Sequence, residues 1–279
     1  MAPKSAVCEV LNTGWATAPE WILLRGGGRS QMRVPALVAL IRHPRHGWGL
    51  FDTGYAPRVP QALTVWPFVA YRWVAPMTVA SAGAVAAQLP RFGLTAGDIA
   101  WIVVSHFHAD HVGGLEDFPR ARFIASRSAY DDIRTRTGCS ALRRAFVPSL
   151  MPRDFESRAT LLDGLDGPDR PALARAHDLF GDGLIMLYNL PGHARGQIGA
   201  LVRTTTWNVF LVADGCWLSQ AFRENRPPHR VTGVFVDSVR AAARTVAVLH
   251  EYAAAHPDTA IVPSHCPEAY ARHVGRGAA

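Results

Sequence analysis

Lysine is all but missing from this chain of 279 residues, Lys4 being the only one. The formal charge of +7 therefore rests on arginine, and the arginines are spread along the sequence. Such a skew is what a GC-rich genome produces without functional cause, so the charge alone does not point to nucleic acid or an anionic membrane. The tightest cluster, Arg134, Arg136, Arg143 and Arg144, reads as a solvated helical face rather than an anion-binding patch. Cysteine is scarce too. Cys8, Cys139, Cys216 and Cys266 show no C-x-x-C spacing, which excludes a disulfide framework and a structural zinc knuckle and leaves free thiols in a reducing compartment. Long apolar runs are absent: nothing reaches the roughly eighteen residues of a membrane span. The nearest, Ala62 to Leu89, is broken by Pro67, Arg72 and Pro76. Met1 to Thr13 carries Lys4 and Glu9 and no apolar core of signal-peptide length. The expectation is a cytoplasmic protein with no transmembrane segment and no nucleic-acid partner.

What is present suits one large domain spanning 1–279. Hydrophobic residues make up 49% of the chain and charged ones 18%, enough apolar material for a sizeable core. Val34 to Ile41 reads as a buried strand, and His43 to Gly47 as a turn into a second strand, Trp48 to Asp52. The apolar segment 59–92 is expected to form one or two helices broken at its prolines. Within it Val65, Trp66, Phe68, Val69, Tyr71, Trp73, Val74 and Met77 read as core or a dimer contact ahead of an acyl pocket or a membrane-facing surface. Ile99 to Val104 is another buried strand. Further strands are expected at Arg122 to Ala125, Leu184 to Leu190, Gly199 to Arg203, Val209 to Ala213 and Ala260 to Pro263. Ser126 to Thr137, Ser140 to Leu150 and Val236 to Ala255 read as helices, and Met151 to Asp182 as loop-rich. Two strand-rich halves joined by a crossover suit helices flanking a packed pair of sheets.

The chemistry is concentrated where the Ile99 to Val104 strand ends, at Ser105-His106-Phe107-His108-Ala109-Asp110-His111. Imidazole nitrogens and carboxylate oxygens are the ligands that zinc and similar divalent ions take. In extended backbone, positions two apart point the same way, so His106 and His108 can grip one ion. Asp110 and His111, past the bend at Ala109, can turn to a second. Val112-Gly113-Gly114 then lets the backbone fold tightly. Three more ligand-type residues each follow a strand: His193 in Pro191-Gly192-His193, Asp214 in Ala213-Asp214-Gly215, and His265 in Pro263-Ser264-His265. Polar groups at the carboxyl ends of several strands are how a sheet brings chemistry to one point.

With Asp52, His106-x-His108-x-Asp110-His111, His193, Asp214 and His265 in this order, the chain resembles the metallo-β-lactamase superfamily from about Val34 to His265. The resemblance implies an α/β (α+β) fold, an αβ/βα four-layer sandwich with a helical apolar insert at about 59–92. It implies two divalent ions, zinc first, with manganese, iron and cobalt as alternatives. His106, His108 and His193 would hold one ion, Asp110, His111 and His265 the other, and Asp214 would bridge them. Asp52 would stand behind the ligands and orient them. Two ions roughly 3.5–4 Å apart share and acidify one water, whose hydroxide attacks a carbonyl. Asp110 would pass a proton to the leaving atom.

Among the superfamily, the acyl-homoserine lactonases of quorum quenching and their esterase relatives are the most similar. A flavodiiron protein would carry a glutamate where His108 stands, a nuclease would insert a domain into the 50 residues between Asp214 and His265, and a glyoxalase-type thioesterase would extend beyond the 14 residues after His265. The expected activity is hydrolysis of a small-molecule lactone or ester, with an acyl thioesterase as the alternative and a non-catalytic or nucleic-acid-binding member behind it. The lactonases commonly place a tyrosine three residues past the bridging aspartate, and this chain has Trp217 there. Trp217 is expected at the cleft mouth as an apolar wall with one N–H for substrate, or else as a packed anchor for its loop, with Phe107 as a second pocket residue. Cys216 and Cys266 adjoin ligand positions and are weaker candidates for metal binding. Arg195 is an equally weighted choice between a substrate carboxylate and the surface.

Overall fold

A computed structural model describes residues 5–165 and 172–275. Its architecture follows from alternation along β2 (Gln31–His43). Leu37, Ala39 and Ile41 face one way and Val38 and Leu40 the other, and all five are buried. A strand apolar on both faces has to be covered on both. β2 pairs antiparallel with β1 (Val7–Pro19) and β3 (Gly47–Phe51). β5 (Ile99–Val103), β6 (Arg122–Ser126) and β7 (Ala159–Leu162) then run parallel to β3. With the two-residue β4 (Met77–Thr78) on the far edge, the seven-stranded sheet has the order β4-β1-β2-β3-β5-β6-β7.

The second sheet has five strands: β8 (Ala176–Asp178), β9 (Ile185–Asn189), β10 (Ile198–Arg203), β11 (Asn208–Ala213) and β12 (Thr259–Pro263), ordered β12-β11-β10-β9-β8. Leu37, Ala39, Ile41, Phe51 and Val103 of the first sheet pack against Ile185, Leu187, Ala200, Leu211 and Val262 of the second. On the outside of the first sheet, Val38, Leu40, Ile102 and Phe123 meet Val59, Leu63, Val112 and Ile133 from helical segments. On the outside of the second, Leu201, Phe210, Val212 and Ile261 meet Val246 and Leu249 of the Val239–Ala255 helix. Helices, sheet, sheet and helices give the αβ/βα four-layer sandwich that the sequence led us to expect.

The Val239–Ala255 helix shows how packing selects an element. It buries Ala242, Thr245, Val246 and Leu249, a stripe at helical spacing. It starts three residues later than expected because Ser238 caps it, its hydroxyl accepting from the Ala241 N–H at 3.2 Å. The backbone N–H groups of Asp237 and Ser238 are free to leave the helix and donate to the carbonyls of His193 and Gly192. The Thr245 hydroxyl donates to the Pro191 carbonyl at 2.6 Å. A core helix thus grips the loop that carries His193.

Other expectations change in detail. β1 was not anticipated at all: Asn12, Thr13 and Gly14 interrupt its alternation, and its pairing with β2 shifts register between Asn12 and Trp15. Segment 59–92 is a chain of short pieces rather than one or two helices, with helices at Arg58–Ala62, Val69–Val74 and Val85–Gln88, the last two separated by β4 and a 3-10 turn at Ser81–Gly83. Ser126 to Thr137 holds a helix only over Arg127–Ile133. The stretch 140–150 has a helix only at its start, Gly138–Leu142, before a 3-10 turn at Pro148–Leu150. The region expected to be loop-rich contains the Phe155–Arg158 helix, β7 and β8. Its residues 166–171 lie outside the described residues, as does Lys4. No described helix is long and apolar enough to cross a membrane.

Gly192 makes a testable point of contact. It adopts φ +128°, and a Cβ there would stand 2.1 Å from the Ala242 nitrogen in the helix backbone. Overpacking of this kind costs about 1–3 kcal/mol. Gly192→Ala should therefore lower the melting temperature by roughly 3–10 °C in a chain of this size. An unchanged melting curve would show that the loop is not seated on the helix.

Candidate metal centre

β3 and β5 run parallel, as do β11 and β12, and β9 shares the direction of β11 through two antiparallel pairings. These five strands are each followed within a few residues by part of the motif, Asp52, His106 to His111, His193, Asp214 and His265, and the donors meet at one edge of the sandwich. Three overlapping groups bring their donor atoms within 4.8 Å of one another: His106, His108 and His193; His106, His111 and Asp214; Asp110, His111 and His265. His193 Nε2 faces His108 Nδ1 at 2.9 Å. Asp214 reaches both sides, Oδ2 lying 3.1 Å from His193 Nε2 and Oδ1 lying 3.3 Å from His265 Nε2 and 3.4 Å from His111 Nε2. Asp110 Oδ2 lies 3.2 Å from His265 Nε2.

The set fits two divalent ions. His106 Nε2, His111 Nε2 and Asp214 Oδ1 are buried, point into the cluster and find no hydrogen-bond partner. Orphaned buried polar atoms are costly unless something binds them. A cation between them supplies that partner, and the all N/O donor set suits zinc and its neighbours.

Behind the donors, the rings of His106, His111 and His265 are held at their other nitrogen. Asp52 Oδ2 takes His111 Nδ1 at 2.8 Å, and His265 Nδ1 sits 2.8 Å from the Pro35 carbonyl, so both rings turn Nε2 inward. Asp52 also accepts from the Ser105 N–H at 2.7 Å and the Ser105 hydroxyl at 2.6 Å. The same hydroxyl is 3.0 Å from His106 Nδ1. Asp52 adopts φ 61° and Ala213, just before Asp214, φ 46°; left-handed conformations in non-glycine residues mark sites where the surroundings dictate the backbone. The Thr53 hydroxyl donates to the His111 carbonyl and accepts from the Gly114 N–H, fixing the Ala109–Val112 helix to the end of β3.

The electrostatics of the protein groups follow from burial opposed by neighbours. Burial and the adjacent imidazoles push His106 and His108 well below the usual histidine range. Burial also lowers His193, to about 4. Burial would lower His265 as well, but the carboxylates of Asp214 and Asp110 win and push it up to about 10. Burial would raise Asp110 and Asp214, yet the imidazoles around them outweigh it and hold both carboxyls below their ordinary range. The centre is thus a balanced set of buried charges in which each carboxylate depends on its histidines.

Trp217 departs from the position expected at the cleft mouth. It is 5% exposed and its indole N–H donates to Asp214 Oδ2 at 2.9 Å, so the donor offered to substrate is committed to the aspartate. Its ring meets His193 edge-on and stacks near Phe235, which makes it a packed support for the Asp214 loop. Phe107 does line a small cavity, about 20 Å³, beside His108 and His193, together with Ile133, Arg144 and Phe235. Arg195 lines it too. Cys266 is no ligand: its sulfur accepts from the Ser219 and Ala269 N–H groups and caps the Pro267–His273 helix. Cys216 joins none of the donor groups. Of the arginine cluster, Arg136 and Arg144 pair with Asp132, Arg144 also with Asp237, and Arg134 with Asp131. The apolar stretch divides: Phe68, Tyr71 and Met77 pack on the core, while Val65, Trp66, Trp73 and Val74 are exposed.

Sequence reasoning missed Ser105 and Tyr71 as site residues. Ser105 carried a signal, a polar side chain at the end of an apolar strand directly before a ligand. Tyr71 was counted as one more apolar residue of its stretch, yet its phenol reaches Asp110 Oδ1 at 3.3 Å.

Comparison with known proteins places the chain in a class. The metallo-beta-lactamase superfamily model matches residues 33–203, and the chain belongs to that superfamily. It is 29% identical to the N-acyl homoserine lactonase AttM of Agrobacterium fabrum over 191 residues, 66% of this chain and 64% of that protein, so the match spans just under two thirds of that relative. With the N-acyl homoserine lactonase AiiB of the same organism it shares 30% over 205 residues, 73% of this chain and 70% of that protein. Its fold matches an N-acyl homoserine lactone hydrolase solved with N-hexanoyl-L-homoserine at its catalytic metal centre, at TM-score 0.75 and 16% identity over 96% of both chains. It also matches AidC, a dizinc quorum-quenching lactonase, at TM-score 0.65 and 14% identity over 94% of this chain and 88% of that one.

Two measurements test the centre. Asp52→Asn should weaken retention of the ion on the His111 side by roughly 10–100-fold, the usual cost of losing a hydrogen-bonded carboxylate behind a ligand. Competitive chelation followed by elemental analysis reads this, and equal retention by both proteins would refute Asp52's role. Separately, Cys8, Cys216 and Cys266 are buried, with burial pushing Cys8 up to about 12 and Cys216 well above the thiol range, whereas Cys139 is exposed. A thiol reagent should label Cys139 alone in the native protein and all four cysteines after denaturation. Rapid native labelling of Cys216 would overturn its burial.

Proposed function

We propose that this chain is a single-domain dinuclear metal-dependent hydrolase that cleaves the acyl carbon–oxygen bond of a lactone or ester, with N-acyl homoserine lactones as its leading substrates. The observation that carries the reading is the convergence of seven donor residues, none of them missing, at the edge of a lactonase-like sandwich. His106, His108 and His193 would hold one ion, Asp110, His111 and His265 the other, with Asp214 spanning both. When bound, a divalent pair supplies Lewis acidity, lowering the pKa of a water toward neutrality and offsetting negative charge on the substrate carbonyl oxygen. Zinc is the preferred metal and the cytoplasm the preferred location, in keeping with the nitrogen-rich donors and the free cysteines.

The chain's own groups then have separate work. The hydrolysis adds hydroxide to the acyl carbon and a proton to the leaving oxygen. Asp110 would carry that proton; Oδ2 lies against His265 while Oδ1 accepts from the Tyr71 phenol, which supports the reading. Phe107, Ile133 and Phe235, which line the small cavity beside His108 and His193, would supply apolar contacts to an acyl group bound next to these ligands. Trp217 holds Asp214 rather than substrate.

A panel of N-acyl homoserine lactones, aryl esters and acyl thioesters, assayed on metal-replete protein, tests the reading. The lactones should give the highest kcat/KM, and chelation should abolish it. Asp110→Asn should reduce turnover by roughly 100-fold or more, the weight of a positioned proton carrier, with circular dichroism unchanged. Near wild-type turnover in that variant would assign Asp110 another task, and hydrolysis confined to thioesters would replace the substrate class.

A further inference from the structure

The segment 59–92 brings one polar group to the metal centre. Its Val69–Val74 helix turns Trp73 and Val74 to the surface while Tyr71 packs on the core, and the Tyr71 phenol donates to Asp110 Oδ1 at 3.3 Å. The two oxygens of Asp110 are thereby distinguished. Oδ2 is turned to the ligand histidines, 3.2 Å from His265 Nε2 and 3.9 Å from His111 Nε2. Oδ1 is the oxygen left over from ligation, and it is the one the phenol holds. Where superfamily lactonases commonly have a tyrosine three residues past the bridging aspartate, this chain has Trp217, whose only donor is spent on Asp214. The phenol that bonds Asp110 comes from a different part of the chain.

We propose that Tyr71 is a positioning residue for Asp110, its hydroxyl fixing the carboxylate so that Oδ1 faces the leaving oxygen of the substrate. The proposal rests on the hydrolase reading above and sharpens its substrate class. A proton carrier held this way matters for substrates whose leaving group is a poorly stabilised alkoxide, such as a ring-opened lactone or an alkyl ester. It matters little for phenolates or thiolates, which depart without a proton. Tyr71 breaks no bond and transfers no proton of its own. The proton that reaches the leaving oxygen is the one Asp110 takes up when water is deprotonated, so the step balances without a further reactant.

Tyr71→Phe removes one hydroxyl and keeps the ring that packs on the core. With metal-replete protein, kcat for a lactone and an alkyl ester should fall by roughly tenfold with KM within about twofold, the mark of an interaction used in the transition state rather than in substrate binding. Turnover of a p-nitrophenyl ester of the same acyl group should change by less than about twofold, since its leaving group needs no proton. Elemental analysis and cobalt titration should give the same metal content for variant and wild type, and the melting temperature should hold. Equal losses across all leaving groups would overturn the proposal in favour of a packing role, and loss of an ion would show that the phenol serves ligation instead. Unchanged kcat on every substrate would also overturn it. Failure of the wild-type protein to hydrolyse any of these esters would instead strike at the hydrolase reading, which separates the two.

Discussion

The structure depends on the compensation of buried charge at one edge of the sandwich. Asp110 and Asp214 lie among His106, His108, His111, His193 and His265 with little access to water. Two carboxylates in such a place would ordinarily take up protons. Here the imidazoles hold both carboxyls below their ordinary range, while the carboxylates push His265 up. A set this closely balanced is stable only if every member stays within hydrogen-bonding range of the others. Three inward-pointing atoms nevertheless find no hydrogen-bond partner. That combination, a preassembled cluster whose inward donor atoms are left unpartnered, is the physical description of a cation site.

Much of the remaining fold serves to keep those side chains in place. Asp52 ties the end of β3 to the Ser105 backbone at the end of β5 and to His111 beyond it. The Pro35 carbonyl at the start of the buried run of β2 fixes the ring of His265, at the end of β12 in the opposite sheet. The cap of the Val239–Ala255 helix binds the carbonyls of Gly192 and His193. Each link joins elements distant in sequence, and each is short because two covered sheets pack closely enough to bring their strand ends together. The unanticipated β1 belongs to this frame as well: the Thr13 hydroxyl donates to the Ala36 carbonyl and accepts from the Tyr55 N–H, joining β1 to β2 and to the loop past Asp52.

The segment between β3 and β5 behaves differently. It is built from short pieces with few long-range backbone bonds, and it exposes Val65, Trp66, Trp73 and Val74 while sending Tyr71 inward. Segments of this kind can vary without disturbing the ligands, which are positioned by strands. The donors are fixed by the frame, while the insert brings a phenol to Asp110 and Phe107 and Phe235 line the cavity beside His108 and His193.

The sequence by itself brought out the candidate donors, and the resemblance they carry implied the four-layer sandwich. His106, His108, Asp110, His111, His193, Asp214 and His265 were legible because they fall shortly after compact apolar strands, a local pattern that needs no knowledge of what lies across the sheet. The helix over Val239–Ala255 was legible for the same reason, its apolar stripe recurring at helical spacing. β1 was not, since Asn12, Thr13 and Gly14 break its alternation and only pairing with β2 makes it a strand. Nor could spacing show that the Trp217 N–H turns back to Asp214, or that Tyr71, 39 residues before Asp110, arrives at its free oxygen. Those outcomes depend on side-chain direction across a tertiary contact. Periodicity reports which face of an element is apolar, and it carries no information about which polar tip on that face will meet which partner.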